Sequence, residues 1–195
     1  LKAGLYYSDH IATVSPTYAR EIQMETLGFG MQGLLSTRHK HISGIVNGID
    51  TNDWDPATDP DLSRNYSANK LAAKAANKRA LQQLLGLAVD PSIPLFGAVS
   101  RLTYQKGYDL LLEIAAQLTG LPAQLAVLGS GEAVLEQALT ALAKNNPGKI
   151  AVRIGFDEKL SHLIEAGADS FLMPSRFEPC GLNQMYSQRY GTPPV

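Results

Sequence analysis

Arg101 and Lys106 flank four residues in the stretch 100–107 (SRLTYQKG), and Gly107 follows at once. Two cations so close, beside a glycine that opens the turn before a helix, can converge on one anion together with backbone N–H groups and the positive helix end. An ordinary loop carrying solvated basic residues is the plainer reading, and both stand at this point. A second candidate is 175–184 (SRFEPCGLNQ), where Arg176, Glu178 and Cys180 sit beside a proline and a glycine just after a largely apolar run. Glu178 has the chemistry to accept hydrogen bonds from sugar hydroxyls. Arg176 is expected to pair with a local carboxylate or carbonyls. Cys180 is expected to be a small buried hydrophobe, since no histidine partner supports a nucleophile. Gly129-Ser130-Gly131 lets a backbone approach a phosphate, yet is equally a tight turn. Phe156 is either a core side chain or a stacking platform for a base or sugar. The histidines at 10, 39, 41 and 162 show no metal-ligand spacing with cysteine or carboxylates, so no metal site is expected.

These residues need a scaffold, and the second half of the sequence supplies a regular one. Short apolar strands are expected at 95–100, 124–128, 150–154 and 170–173. They alternate with helices at 109–118, 133–144 and 159–166, the pattern of a parallel α/β sheet. Ligands bind such sheets at the carboxyl ends of the strands. Arg101, Lys106, Gly129, Ser130, Phe156 and Glu178 all follow expected strands. Upstream, 9–15 reads as a short strand, and Ser15-Pro16 starts a helix to about residue 24 through an N-cap and a first-turn proline. Residues 28–44 read as loop, 52–61 as an exposed linker rich in Pro, Asp and Thr, and 67–85 as a helix stopped by Gly86.

Composition narrows the function classes. With 45 % hydrophobic and 18 % charged residues the chain is rich enough in apolar side chains to build a core. A net charge of −1 without a Lys/Arg block argues against nucleic acid or a membrane surface as partner. A single cysteine excludes an intrachain disulfide and suits a reducing compartment. No apolar run nears the roughly 20 residues that span a bilayer. The chain starts at Leu1 and stops at Val195 where another strand is expected, so it reads as a piece of a longer protein. From the residues alone follows an α/β domain with an anion site beside a carboxylate suited to a polyol. A nucleotide sugar satisfies both.

The stretches 100–107 and 174–184, together with 11–21 (IATVSPTYARE), 44–50 (GIVNGID), Ser161-His162 and 167–169 (GAD), strongly resemble the bacterial glycogen synthase and plant starch synthase family. The resemblance covers essentially the whole chain. It implies a GT-B fold of two Rossmann-like domains. Residues 1–46 would be the tail of the acceptor-side domain, 47–91 an interdomain linker and helix, and 92–195 part of the nucleotide-sugar domain. It further implies retaining transfer of α-glucose from ADP-glucose to the non-reducing end of an α-1,4-glucan such as glycogen, with no cofactor and no required metal. The location implied is a bacterial cytoplasm, or a plastid in a plant. By the same resemblance Arg101 and Lys106 bind the diphosphate, Glu178 holds the transferred glucose, and the backbone at Cys180, Gly181 and Leu182 faces sugar and phosphates. Phe156 stacks on adenine at a place where relatives carry tyrosine, Gly129 and Ser130 line the nucleotide pocket, and Asn47 faces the cleft. Many retaining GT-B enzymes carry a second glutamate eight residues after the first. Here that position is Tyr186, as in the glycogen and starch synthase branch. The family's Lys-x-Gly-Gly-Leu loop and a later Gly-rich loop lie outside this chain, so the isolated chain is expected to be inactive. A related transferase using UDP-glucose, or a non-catalytic nucleotide- or glucan-binding module, remains open on these grounds, and oligomeric state is not legible.

Overall fold

Ser15 caps a helix as its neighbours predict: its Oγ accepts a 2.9 Å hydrogen bond from the Tyr18 N–H, and Pro16 occupies the first helical position. In the computed structural model, which describes all 195 residues, this helix belongs to the first of two compact units, residues 1–48 with 178–182. Its elements are α1 (Lys2–Tyr7), β1 (Ile11–Thr13), α2 (Pro16–Glu21), α3 (Gln32–Thr37) and β2 (Ile42–Gly44). β1 and β2 pair in parallel, Ile11 opposite Ile42. Arg38 ties the end of α1 down by donating to the carbonyls of Leu5 (2.6 Å), Tyr6 (2.9 Å) and Ser8 (2.6 Å). Residues 28–44 are therefore not the loop expected. α3 is only six residues long and β2 three, and β2 exists only because β1 pairs with it, a non-local fact that local composition does not carry.

The second unit, residues 49–177 with 183–195, holds the sheet. Its elements are α4 (Lys74–Leu85), β3 (Leu95–Val99), α5 (Tyr108–Glu113), α6 (Ala115–Gly120), β4 (Gln124–Gly129), α7 (Ala133–Asn145), β5 (Ile150–Ile154), α8 (Glu158–Gly167) and β6 (Ser170–Phe171). A ninth helix, α9 (Leu182–Arg189), follows and was not expected. The strands are all parallel in the order β5-β4-β3-β6. Successive side chains of β4 point to opposite faces. Leu125 and Val127 join one core with Tyr108, Leu111, Leu135 and Leu139, while Ala126 and Leu128 join the other with Leu81, Leu160, Leu163 and Ile164. Both faces are covered, which is why the strand reads as an unbroken apolar run. α8 lies so close to β3 that a Cβ on Gly97 would fall 2.6 Å from Ile164 Cγ2.

Three helical expectations change in detail. The helix over 67–85 is a 3-10 segment at Ala68–Ala73, kinked at Lys70, and then α4, which ends as expected with Gly86 in the left-handed region at φ 69°. The helix over 109–118 is broken into α5 and α6 at Ile114. That over 133–144 is α7, one residue longer. The larger correction concerns 52–61. This segment is packed, with Pro56 and Asp59 buried and Trp54 half-buried. Asp59 Oδ2 accepts from His162 Nδ1 at 2.8 Å and from the Tyr190 hydroxyl, and all three residues are buried. Proline and aspartate mark exposed chain only on average. Partners from distant elements satisfy this aspartate.

Candidate functional site

Three strands side by side put their carboxyl ends at one edge of the sheet, and a cavity of about 310 Å³ opens there. The strand order turns between β3 and its neighbours β4 and β6, the place where open α/β sheets bind ligands. After β3 come Ser100 and Arg101, after β4 Ser130, and after β5 Gly155, Phe156 and Asp157; all line the cavity with Gly129. α8 contributes Ser161 and Glu165, α9 contributes Asn183 and Tyr186, and Trp54 comes from the packed segment before α4. Arg101 and Ser130 are exposed, and Phe156 stands 90 % exposed at the cavity's rim. It is therefore not a core side chain.

Lys106 lines a smaller adjoining recess with Ser100, Tyr108, Pro174, Ser175 and Asn183. Lys106 ends a 3-10 turn, Tyr104–Lys106, and Gly107 closes it at φ 72°. A Cβ there would meet the Pro174 carbonyl at 2.0 Å, so only glycine lets the loop after β3 pass beneath the loop after β6. A Cβ on Gly129 would likewise meet the Ser100 carbonyl at 1.9 Å. Its identity is set by the close approach of two chain segments, with the cavity as consequence.

Arg176 fastens these loops. Its guanidinium donates to both oxygens of Asp109 (2.7 and 2.6 Å) and to the Tyr104 carbonyl at 2.8 Å, and it stacks 3.6 Å over the Tyr104 ring. Its backbone N–H reaches the Gln105 carbonyl at 2.9 Å. The pairing holds the Asp109 carboxyl below the usual carboxylate range and raises the guanidinium. The structural role expected of Arg176 is therefore correct, and its partner is now identified. Asn183 fixes the other side by donating its amide to the Val99 carbonyl.

The opposite wall is aromatic. Trp54 lies between two parallel rings, His162 at 4.0 Å and Tyr186 at 3.8 Å. Asp157, Ser161 and Glu165 follow at four-residue spacing, one face of α8. Asp157 also caps the helix, accepting from the Leu160 N–H at 3.0 Å. Burial pushes the Glu165 carboxyl well above the usual carboxylate range, opposed by the Lys74 ammonium, and lowers Lys74 itself to about 8.

The structure thus brings Arg101, Gly129, Ser130 and Phe156 to one cavity, with Lys106 in the adjoining recess. Asn47, Glu178, Cys180, Gly181 and Leu182 belong to the first unit. Asn47 is exposed, Glu178 and Cys180 are half-buried, and Gly181 is buried with φ 82°. Sequence reasoning missed Trp54, Glu165 and Asn183. Asn183 lies within the 175–184 motif and was findable there, whereas nothing local distinguishes Trp54 or Glu165. No group of three or more His, Cys, Asp or Glu side chains is arranged to hold a metal ion, and no helix is long and apolar enough to cross a membrane.

Comparison with known proteins converges on one group. Residues 87–195 match the model described as glycosyl transferases group 1, and residues 1–37 match the starch synthase catalytic domain. A glycogen synthase of Nitrosospira multiformis is 73 % identical and one of Nitrosomonas eutropha 70 %, each over the whole chain. The chain spans 39 % of the length of either relative. The catalytic domain of starch synthase IV from Arabidopsis thaliana, bound to ADP and acarbose, superposes with a TM-score of 0.93 at 38 % identity, over 99 % of this chain and 40 % of that one. The α/β fold is of the GT-B type, as in these structural neighbours.

Proposed function

Since the chain belongs to the group 1 glycosyl transferases and is similar to glycogen and starch synthases, we propose that it forms part of an enzyme moving glucose from ADP-glucose to an α-1,4-glucan. Transfer is to the non-reducing end, with retention, in the cytoplasm. The observation that carries the reading is the cavity at the ends of β3, β4 and β5. There a cation, a glycine-serine turn and an exposed aromatic ring line one space large enough for a nucleoside.

In this reading the diphosphate lies by Arg101 and Lys106. Their charges offset the negative charge that grows on the leaving ADP, the kind of preorganised stabilisation that often dominates catalysis. The Arg176–Asp109 pair holds the loop that carries both cations, so they need little reorganisation when the bond breaks. Phe156 covers one face of adenine, and Gly129 and Ser130 border the nucleotide. Glu178 accepts hydrogen bonds from the hydroxyls of the transferred glucose, with the backbone of Cys180, Gly181 and Leu182 beside sugar and phosphate. Asn47 faces the cleft.

The test is Glu178→Ala in the full-length enzyme, with ADP-glucose and UDP-glucose assayed side by side. The expected result is a fall in kcat of at least ~100-fold with KM for ADP-glucose changed far less, the pattern of a lost transition-state interaction. ADP-glucose should be the better donor. Near-wild-type turnover removes Glu178 from the reaction, and preference for UDP-glucose reassigns the donor.

A further inference from the structure

Glu165 is 2 % exposed, and its Oε2 is buried without a hydrogen-bond partner. Buried polar atoms in folded proteins are nearly always paired, and leaving one unpaired costs about 1–3 kcal/mol. This molecule follows that rule elsewhere. Gln82 donates to Gln124 at 2.8 Å, and Asn77 both accepts from and donates to the backbone of Arg64. Gln32 Oε1 and Thr103 Oγ1 are the other two buried side-chain atoms left over, and neither residue lines the cavity; Glu165 does.

Several donors around it are already engaged elsewhere. The Lys74 ammonium spends its three protons on the Glu165 carbonyl (3.2 Å), the Ala166 carbonyl (2.7 Å) and Thr192 Oγ1 (2.6 Å). The Tyr66 hydroxyl donates to the Tyr190 carbonyl, and the Tyr190 hydroxyl to Asp59. Ser161, one turn away on the same helix face, donates to the Glu158 carbonyl at 2.6 Å. A carboxyl held this way in a residue that lines a cavity is a candidate partner for a ligand that enters it.

The ligand group follows from the order of the cavity and rests on the function proposed above. With adenine at Phe156 and diphosphate at Arg101 and Lys106, the part of the nucleotide lying between them is the ribose, which carries adjacent hydroxyls. We propose that Glu165 hydrogen-bonds a ribose hydroxyl of the nucleotide and so selects ribonucleotides over their deoxy analogues. A hydroxyl both donates and accepts, as a protonated carboxyl does. Burial favours that protonated form, so Glu165→Gln is the fitting mimic and Glu165→Met the apolar replacement of like length.

The experiment is calorimetry of the full-length protein with ADP, 2′-deoxy-ADP and 3′-deoxy-ADP. Wild type is expected to bind ADP about 10-fold tighter than at least one deoxy analogue, roughly the worth of one hydrogen bond. In E165M that ratio should fall to within about 2-fold of unity, by loss of ADP affinity, while E165Q stays within about 3-fold of the wild-type ratio. If E165M does not fold, E165D, which withdraws the carboxyl by one methylene, should show the same loss of ratio. Equal wild-type affinity for ADP and both analogues overturns the inference, as does an unchanged ratio in E165M or E165D. Failure of wild type to bind ADP at all overturns the proposed function and this inference with it; binding without discrimination overturns the inference alone.

Discussion

Arg176 and Glu165 flank the same sheet edge and carry opposite chemistry in opposite states. In the loop after β6, Arg176 is paired: two bonds to Asp109, one to a carbonyl, and a tyrosine ring beneath it. On the inner wall, Glu165 is more deeply buried and has an oxygen with no partner. Since the unpaired state is the costly one, the contrast separates scaffold from site. A charge paired with a carboxylate within the chain holds loops in place. A buried carboxyl left unmet beside a cavity points to what enters it.

The comparison breaks most visibly at the inner wall. Asp59→Ala leaves His162 Nδ1 and the Tyr190 hydroxyl buried without their acceptor and removes the anchor of the Trp54 segment. Loss of one member of such a buried cluster is expected to cost about 3 kcal/mol of stability, read by urea unfolding. A cost under about 1 kcal/mol would show that the segment is the loose linker its composition suggests. At the rim the loss should appear in binding instead. Lys106→Ala is expected to weaken ADP binding by roughly 10- to 100-fold, the worth of a charge-assisted hydrogen bond of about 1.5–3 kcal/mol, with a smaller change in stability. Unchanged ADP affinity by calorimetry takes Lys106 out of the phosphate site.

The two carboxyls, Asp109 beside Arg176 and Glu165 on the wall, also predict opposite pH trends, the smallest effects of the set. Asp109 is held below its ordinary 3.8, so its pairing stabilises the fold above that value and the contribution disappears as pH falls through the lowered pKa. Asp109→Asn should therefore be less stable than wild type near neutrality, with the gap closing in acid. Glu165 is raised above its ordinary 4.5, so ionisation is harder in the folded state and its cost grows as pH rises past that value. Glu165→Gln should match wild type near pH 4 and become the more stable protein toward neutrality. Parallel trends in the two thermal-unfolding series would erase the distinction between paired rim and unpaired wall.

The rim was largely readable in the sequence, the wall was not. β3, β4 and β5 announce themselves because strands covered on both faces are apolar runs, and strand-end residues such as Arg101, Ser130 and Phe156 follow by position. Arg176 reads as structural because a carboxylate and carbonyls are always within reach of such a loop. Asp59, Trp54 and Glu165 act through partners more than a hundred residues away or through the packing of α8 between α4 and the sheet. Asp59 looks like linker and Glu165 like the polar side of an amphipathic helix until those partners are in place. β2 was lost for the same reason, being a strand only beside β1.

The central claim is that the carboxyl ends of β3, β4 and β5 hold the nucleotide. A crystal structure of the full-length protein with ADP tests it directly. The diphosphate is predicted within hydrogen-bond distance of Arg101 and Lys106, with adenine against Phe156 and the ribose toward Glu165. ADP bound at any other place, with this cavity filled only by water, would contradict it.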